Sequence, residues 1–269
     1  MKKRIRDILQ KKGLYYNLKY SPVFRFYELL SKPGVIKQQR KEVRFYQSFL
    51  PAGKLFFDIG ANDGHKTQAF LRVAEKVICC EPDMENFTLL QSRFRRKKGR
   101  VVIENKALSD KEGTAIMHTH HPGSAFNTLS SKWAGVLEAD NMKRWNESIK
   151  FKETQTITTT TLDQLIAQYG LPDFIKIDVE GFEETVLKGL SQAVPCLSFE
   201  SLLPDYGSEL QNCIARIDSL DPLATYNIAL DEKLIFPGFI NRNELKKWIK
   251  ENNNASSFEV VVKMSYEYR

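Results

Sequence analysis

Residues 54–67 spell KLFFDIGANDGHKT. Leu55, Phe56, Phe57 and Ile59 make a short run that is apolar at almost every position, the pattern of a strand covered on both faces within a parallel sheet. Behind it, Gly60 and Gly64 enclose Asn62 and Asp63. Such a loop can take positive φ and bring backbone N–H groups close to a ligand before a helix, predicted over about 65–74, opens near His65. About twenty residues further on, a second apolar run, Val77-Ile78-Cys79-Cys80, ends in Glu81, where doubly wound folds place an acid that hydrogen-bonds a ribose diol.

The glycine pattern separates two cofactors. A dinucleotide site uses G-x-G-x-x-G so that a pyrophosphate can lie on the backbone, whereas this loop reads D-x-G-x-N-x-G from Asp58 to Gly64, with an acid at the strand end and two glycines. A carboxylate there repels phosphate but suits an ammonium or sulfonium group, and S-adenosyl-L-methionine carries both together with a ribose. The pattern points to a class I methyltransferase and away from a nicotinamide oxidoreductase.

Five segments, DIGANDGHKT, CEPDMENFTLL, ENKALSD, TTTTLDQL and FIKIDVEGFEETVLKGL, occur in this order between residues 58 and 190. Together they resemble the FkbM family of methyltransferases. The resemblance implies a doubly wound, Rossmann-like α/β fold whose mostly parallel seven-stranded sheet ends in an antiparallel C-terminal edge hairpin. It also implies S-adenosylmethionine-dependent O-methylation of a hydroxyl on a carbohydrate, glycolipid or secondary metabolite, and it places adenine contacts near Asn105 and Ala107. Asn105 has a competing reading as a simple turn residue. The cofactor-binding set is then Asp58, Gly60, Asn62, Gly64, Thr67, Glu81, Pro82, Asn105, Ala107 and Asp178.

The 269 residues, 42% of them hydrophobic, are enough for one main domain. The net charge of +7 is unevenly spread. Residues 1–50 carry 13 Lys+Arg against Asp7, Glu28 and Glu42, a net +10, while the remainder carries 27 basic against 30 acidic residues, a net −3. A nucleic-acid enzyme would more often be basic around its active face too, so no nucleic-acid partner is expected. The basic stretch, with Ile5, Ile8 and Leu9 at helical spacing and a third helix over 37–49, has two readings. It caps the sheet, or it is a helical arm touching an anionic membrane surface or acidic glycolipid. No apolar run reaches the ~18–20 residues of a membrane span and no signal core follows the N-terminal charges, so a cytoplasmic location is expected, peripheral at the inner membrane face if the arm binds lipid. Cys79, Cys80, Cys196 and Cys213 show neither zinc spacing nor a disulfide framework.

From Lys54 strands and helices alternate, which means a parallel sheet, with a domain over 51–269. Residues 111–160 break the rhythm and are expected to lie over the carboxyl ends of the strands as a substrate lid. In that segment Trp133 and Trp145 either stack on an acceptor or build a small core of their own. Thr161 and Gln164 open a helix that Gly170 and Pro172 close, and Phe174-Ile175-Lys176-Ile177 enters the sheet with Asp178 and Glu180 at its carboxyl end. Strand-like runs are expected at 225–230, 234–236 and 258–263, with a helix over about 244–250.

Methyl transfer to oxygen requires alignment and removal of the acceptor's proton, and the candidates for the base are Asp178, Glu180 and His65. His118 and His120 share one strand face, but no third ligand is fixed by spacing, so no metal site is assigned; a magnesium site on Asp178, Glu180 or Glu200 is the alternative. The rival function from another class is a non-catalytic S-adenosylmethionine-binding module or targeting adaptor. Acceptor identity and oligomeric state are not legible.

Overall fold

The structure is a computed structural model that describes residues 33–140, 148–253 and 257–265. The predicted helix at Ile5–Leu9 and Trp145 lie outside the described residues.

Among the described residues the main sheet has seven strands. β1 (Gly53–Ile59) is central, and Phe56, Phe57 and Ile59 are wholly buried, as the unbroken apolar run requires. It pairs in parallel with β2 (Ala74–Cys80) on one side and β7 (Phe174–Ile177) on the other. β3 (Val101–Glu104) lies beyond β2, and β8 (Cys196–Leu202) beyond β7. β10 (Ser257–Lys263) runs antiparallel to both β8 and the edge strand β9 (Thr225–Ala229), giving the order β3-β2-β1-β7-β8-β10-β9. This is the expected doubly wound sheet with its antiparallel edge.

Helices cover both faces. On one, α1 (Pro33–Gln47) closes the basic N-terminal stretch and sets Tyr46 against Phe70 and Phe174 in a dry aromatic cluster with Phe49 and Phe56. Also here are α2 (His65–Phe70) and α3 (Met84–Phe94), the latter capped by Asp83. The other face carries α5 (Leu162–Tyr169), α6 (Glu183–Lys188) and α7 (Gly207–Leu220), whose apolar sides share the larger core with Ile175, Leu197 and Phe199. α8 (Arg242–Glu251) opens on a capping box formed by Asn241 and Glu244. The four cysteines are free and buried.

The segment that breaks the alternation builds a small sheet, β4-β6-β5, from β4 (Ala107–Leu108), β5 (Gly113–Thr119) and β6 (Glu153–Thr160), with α4 (Ser131–Ala139) between the last two in sequence.

Three expectations need correction. α2 stops at Phe70 instead of reaching 74, because the Val73 carbonyl already accepts from Gly53 N and the chain is drawn alongside β1. The run at 234–236 is no strand: Leu234 makes a single bridge to Ala229, and the buried Asn227 side chain bonds the backbone of Phe236 and Gly238 where a partner strand would. α7 was not anticipated, although Leu210, Cys213, Ile214 and Ile217 recur at helical spacing and are buried.

Candidate active site

The loop after β1 is shaped by two close approaches. Gly60 has φ 81°, and a Cβ there would stand 1.8 Å from the Asp178 carbonyl oxygen; Gly64 has φ 77°, and a Cβ would meet Leu90 and Phe94 at 2.5 and 2.7 Å. Glycine lets the end of β7 and the flank of α3 close onto the loop. Glu81 then fixes the loop from the end of β2, its Oε2 accepting from Asn62 N at 2.7 Å and its Oε1 from Asp83 N at 2.9 Å. Burial pushes the Glu81 carboxyl up to about 7. Asp58 is also buried, which pushes it up to about 6, and it accepts a hydrogen bond from Thr67 Oγ1. It therefore faces the first turn of α2.

A cleft of about 390 Å³ opens over this loop. Gly60, Ala61, Asn62 and Glu81 form one wall, and Asp178 and Glu180, just past β7, with Glu200 of β8, form an acidic one beside it. Pro82, Ala107, Leu108 and Leu129 supply an apolar side, and His65 stands at the rim.

Beneath the acidic wall Lys176 is completely buried, its Nζ 3.5 Å from Asp178 Oδ2, 3.3 Å from Glu200 Oε1 and 3.7 Å from Glu259 Oε2. Burial alone would pull the ammonium's pKa down, but the carboxylates Asp178, Glu259 and Glu200 hold it well above its ordinary value. Glu180 is pushed well above the usual carboxylate range by burial and by Asp178 and Glu200.

The 111–160 segment is fastened to the cleft at two places. Asp83, already the cap of α3, accepts from Gly123 N and Asn127 Nδ2. Glu180, held in the left-handed region at φ 54°, accepts at its carbonyl from Thr128 Oγ1 (2.7 Å) and at Oε2 from Trp133 Nε1 (3.0 Å). Met117, Ser124 and Asn127 thereby join the cleft lining.

Of the sequence-predicted set, Gly60, Asn62, His65, Glu81, Pro82, Ala107, Asp178 and Glu180 line the cleft. Asp58, Gly64 and Thr67 stand behind it as supports, and Asn105 spends its amide on the Glu81 and Pro82 carbonyls, as a turn residue does. His118 and His120 do not present a shared pair on the strand: His120 falls beyond the end of β5, and the rings bond Ser131 Oγ and the Lys150 carbonyl. Lys176 and Asp83 were missed as functional residues.

A family model described as the methyltransferase FkbM domain matches residues 58–202, more than half of the chain. The protein belongs to the FkbM methyltransferase family. This family depends on S-adenosylmethionine, which supplies an electrophilic methyl group on a sulfonium when bound. Among solved structures, this FkbM-family chain is similar to methyltransferase FkbM from Methylobacillus flagellatus, at 17% identity over 82% of this chain and 47% of that one, with a TM-score of 0.49. It thus spans about half the length of that protein. It is also similar to precorrin-6y C5,15-methyltransferase from Geobacter metallireducens (8% identity, 84% and 86% covered, TM-score 0.43) and to a TehB-like SAM-dependent methyltransferase from Corynebacterium glutamicum (12%, 84% and 88%, 0.40). No curated protein matches it. Among the described residues, no helix is long and apolar enough to cross a membrane.

Proposed function

We propose that this FkbM-family enzyme is an O-methyltransferase acting on a hydroxyl of a carbohydrate, glycolipid or secondary metabolite. The observation that carries the reading is the acidic wall: Asp178, Glu180 and Glu200 line the same cleft as the glycine loop. A hydroxyl brought to that wall meets proton acceptors.

The cleft fits the cofactor. Gly60 lets the Asp178 backbone close onto the loop, which sets Asp178 beside Gly60, Ala61 and Asn62 in the cleft lining. Glu81 uses one N–H bond per oxygen and keeps lone pairs for a ribose diol. Asp178 offers charge to an ammonium or sulfonium, and Pro82, Ala107 and Leu108 offer an apolar face to adenine. Asp58 positions α2 through Thr67.

In this reading Asp178 takes the acceptor's proton while Lys176 balances the carboxylates, and Glu180, which holds its own proton to higher pH, donates or orients. The segment 111–160 selects the acceptor. The test is transfer of a labelled methyl group to a panel of hydroxylated glycans and lipids, with and without EDTA. Labelling confined to nitrogen or carbon acceptors would end the reading.

The partner reading extends to residues 1–50. On α1, Lys37, Arg40 and Arg44 stand exposed around an open hollow that Lys233 also borders, which supports contact with an anionic surface. Co-sedimentation with anionic vesicles should fade as salt rises.

A further inference from the structure

A second cavity of about 180 Å³ adjoins the cofactor cleft, with Glu180 and Glu200 in the lining of both. Phe126, Trp133 and Tyr206 make its aromatic side, and Glu183 joins the two shared carboxyl groups on its polar side. We propose that this cavity is the acceptor subsite, seating one sugar ring that carries hydroxyl or amino groups and rejecting a ring that carries an acid. The proposal rests on the O-methylation reading above and adds where the acceptor sits and which charge it can bear.

Position is the first argument. A ring lodged there borders Glu180 and Glu200, so one of its hydroxyls is presented to the acidic wall of the cleft. Size is the second: the volume falls below the ~300–1,000 Å³ of sites that enclose a whole drug-sized ligand, so it accommodates a single ring.

Chemistry is the third. An aromatic wall receives the C–H face of a sugar, while carboxyl groups opposite accept from its hydroxyls. The lining includes no Lys, Arg or His among the described residues. An acidic ring would therefore be desolvated beside Glu180, Glu183 and Glu200, where the Lys176 ammonium is already shared by Asp178, Glu200 and Glu259. Lys132 lies over the Tyr206 ring, 4.6 Å from its centroid, but its ammonium pairs with Glu209 at 2.6 Å.

The walls are built in place. Trp133 meets Tyr206 edge to face at 5.5 Å and donates its Nε1–H to Glu180. The Tyr206 hydroxyl shares a 3.0 Å hydrogen bond with Ser130 Oγ, the cap of α4. Glu180 occupies the left-handed region, a conformation that costs a non-glycine residue energy and persists only where its surroundings enforce it.

The test uses the full chain with S-adenosylhomocysteine present. The indole N–H resonance of Trp133, assigned with Trp133→Phe, is followed as a methyl hexoside, its 2-amino counterpart and its uronate counterpart are added. The first two should move the resonance, and the uronate should bind at least ~10-fold more weakly. Phe126→Ala should raise the acceptor KM by about 3–10-fold, the loss of one aromatic contact, with donor Kd unchanged. If that variant does not fold, Ser201→Phe fills the cavity and should abolish acceptor binding while keeping the donor. An octyl glycoside with a lower KM than the methyl glycoside identifies a glycolipid head group, and equal values identify a free sugar; both support the subsite. A silent Trp133, equal uronate binding or unchanged KM overturns it. Glycan methylation with Trp133 silent sinks the subsite and leaves O-methylation standing, whereas a responsive Trp133 without hydroxyl methylation does the reverse.

Discussion

The two walls of the cleft are made in different ways. The wall after β1 is backbone: two glycines at positive φ, an asparagine N–H and a glutamate that ties the loop to the next strand, all within residues 58–83. The wall after β7 and β8 is charge: Asp178, Glu180 and Glu200 in front of a buried lysine, with Glu259 behind. The first wall is satisfied by its own hydrogen bonds and suits binding. The second is held together by one ammonium and leaves buried polar atoms, Glu259 Oε1 and Ser198 Oγ, without hydrogen-bond partners. Carboxylates crowded at one strand end are costly for folding and available for proton transfer.

If the acidic wall is the reacting one, Asp178→Asn should show the largest effect. The side chain keeps its size and loses its basicity and its charge, so turnover at saturating donor should fall by ~10²–10⁴-fold, and donor binding should weaken as the carboxylate's attraction for the ammonium or sulfonium is lost. Glu180→Gln is the control, and a smaller loss is expected from it because Glu180 already holds its proton to higher pH. Single-turnover kinetics with saturating donor would read both. Equal and small losses would remove the proposed base.

Lys176→Met breaks the same wall from beneath. Asp178, Glu200 and Glu259 would then face one another with no cation, and removing one member of a buried ion cluster costs about 3–5 kcal/mol. Thermal or urea unfolding should show that loss at neutral pH. A double change, Lys176→Met with Glu259→Gln, should recover part of it. No recovery would mean that the lysine contributes packing alone.

The contrast also explains what was legible in the sequence. The backbone wall is local, so strand, loop, helix, strand and acid follow one another and can be read in a line. The charged wall is not. Its residues come from positions 176, 178, 200 and 259, and only the sheet order brings β7, β8 and β10 side by side. Asp178 and Glu180 were visible because they end a strand, but Lys176 sits inside an apolar run and gives no sign that it is a buried counter-ion. Asp83 was hidden for a similar reason. Its role as helix cap could be foreseen, but its bonds to Gly123 and Asn127 depend on where a distant segment lands. Asp58 looked like a ligand contact because it ends β1, yet strand alternation turns it toward Thr67.

The backbone wall makes a pH prediction. Glu81 has its pKa raised in the folded state to about 7, above its ordinary ~4.3, so between these values the native protein binds more protons than the unfolded chain. Stability from this group is fully present below about 4 and lost as pH rises through 7. Its size is on the order of 3–4 kcal/mol. Glu81→Gln should flatten that part of the stability profile between pH 5 and 8, measured by chemical denaturation, and weaken donor binding. An unaltered slope would show that Glu81 is already ionised in the fold.

The smallest expected effect tests whether His65, at the rim between the walls, has any share in proton transfer. Its Nδ1 lies 3.1 Å from Asp63 Oδ1 and its Nε2 3.9 Å from the buried Glu42. The bond to Asp63 raises the imidazole's pKa against the opposing pull of burial. Although burial alone would push Asp63 up, His65 and Arg93 hold it down to about 2, so it is ionised wherever the histidine titrates. The pair's stabilisation is present below the ordinary histidine value and lost as pH rises through the raised one. Asp63→Asn should return the His65 midpoint, followed by NMR of the ring protons, toward ~6.5. Glu42→Gln should lower it less, being the weaker of the two influences. If the base lies on the charged wall, changing Asp63 should leave the acid limb of kcat/KM in place. A limb that moves down together with the NMR midpoint would transfer the base from the charged wall to the rim.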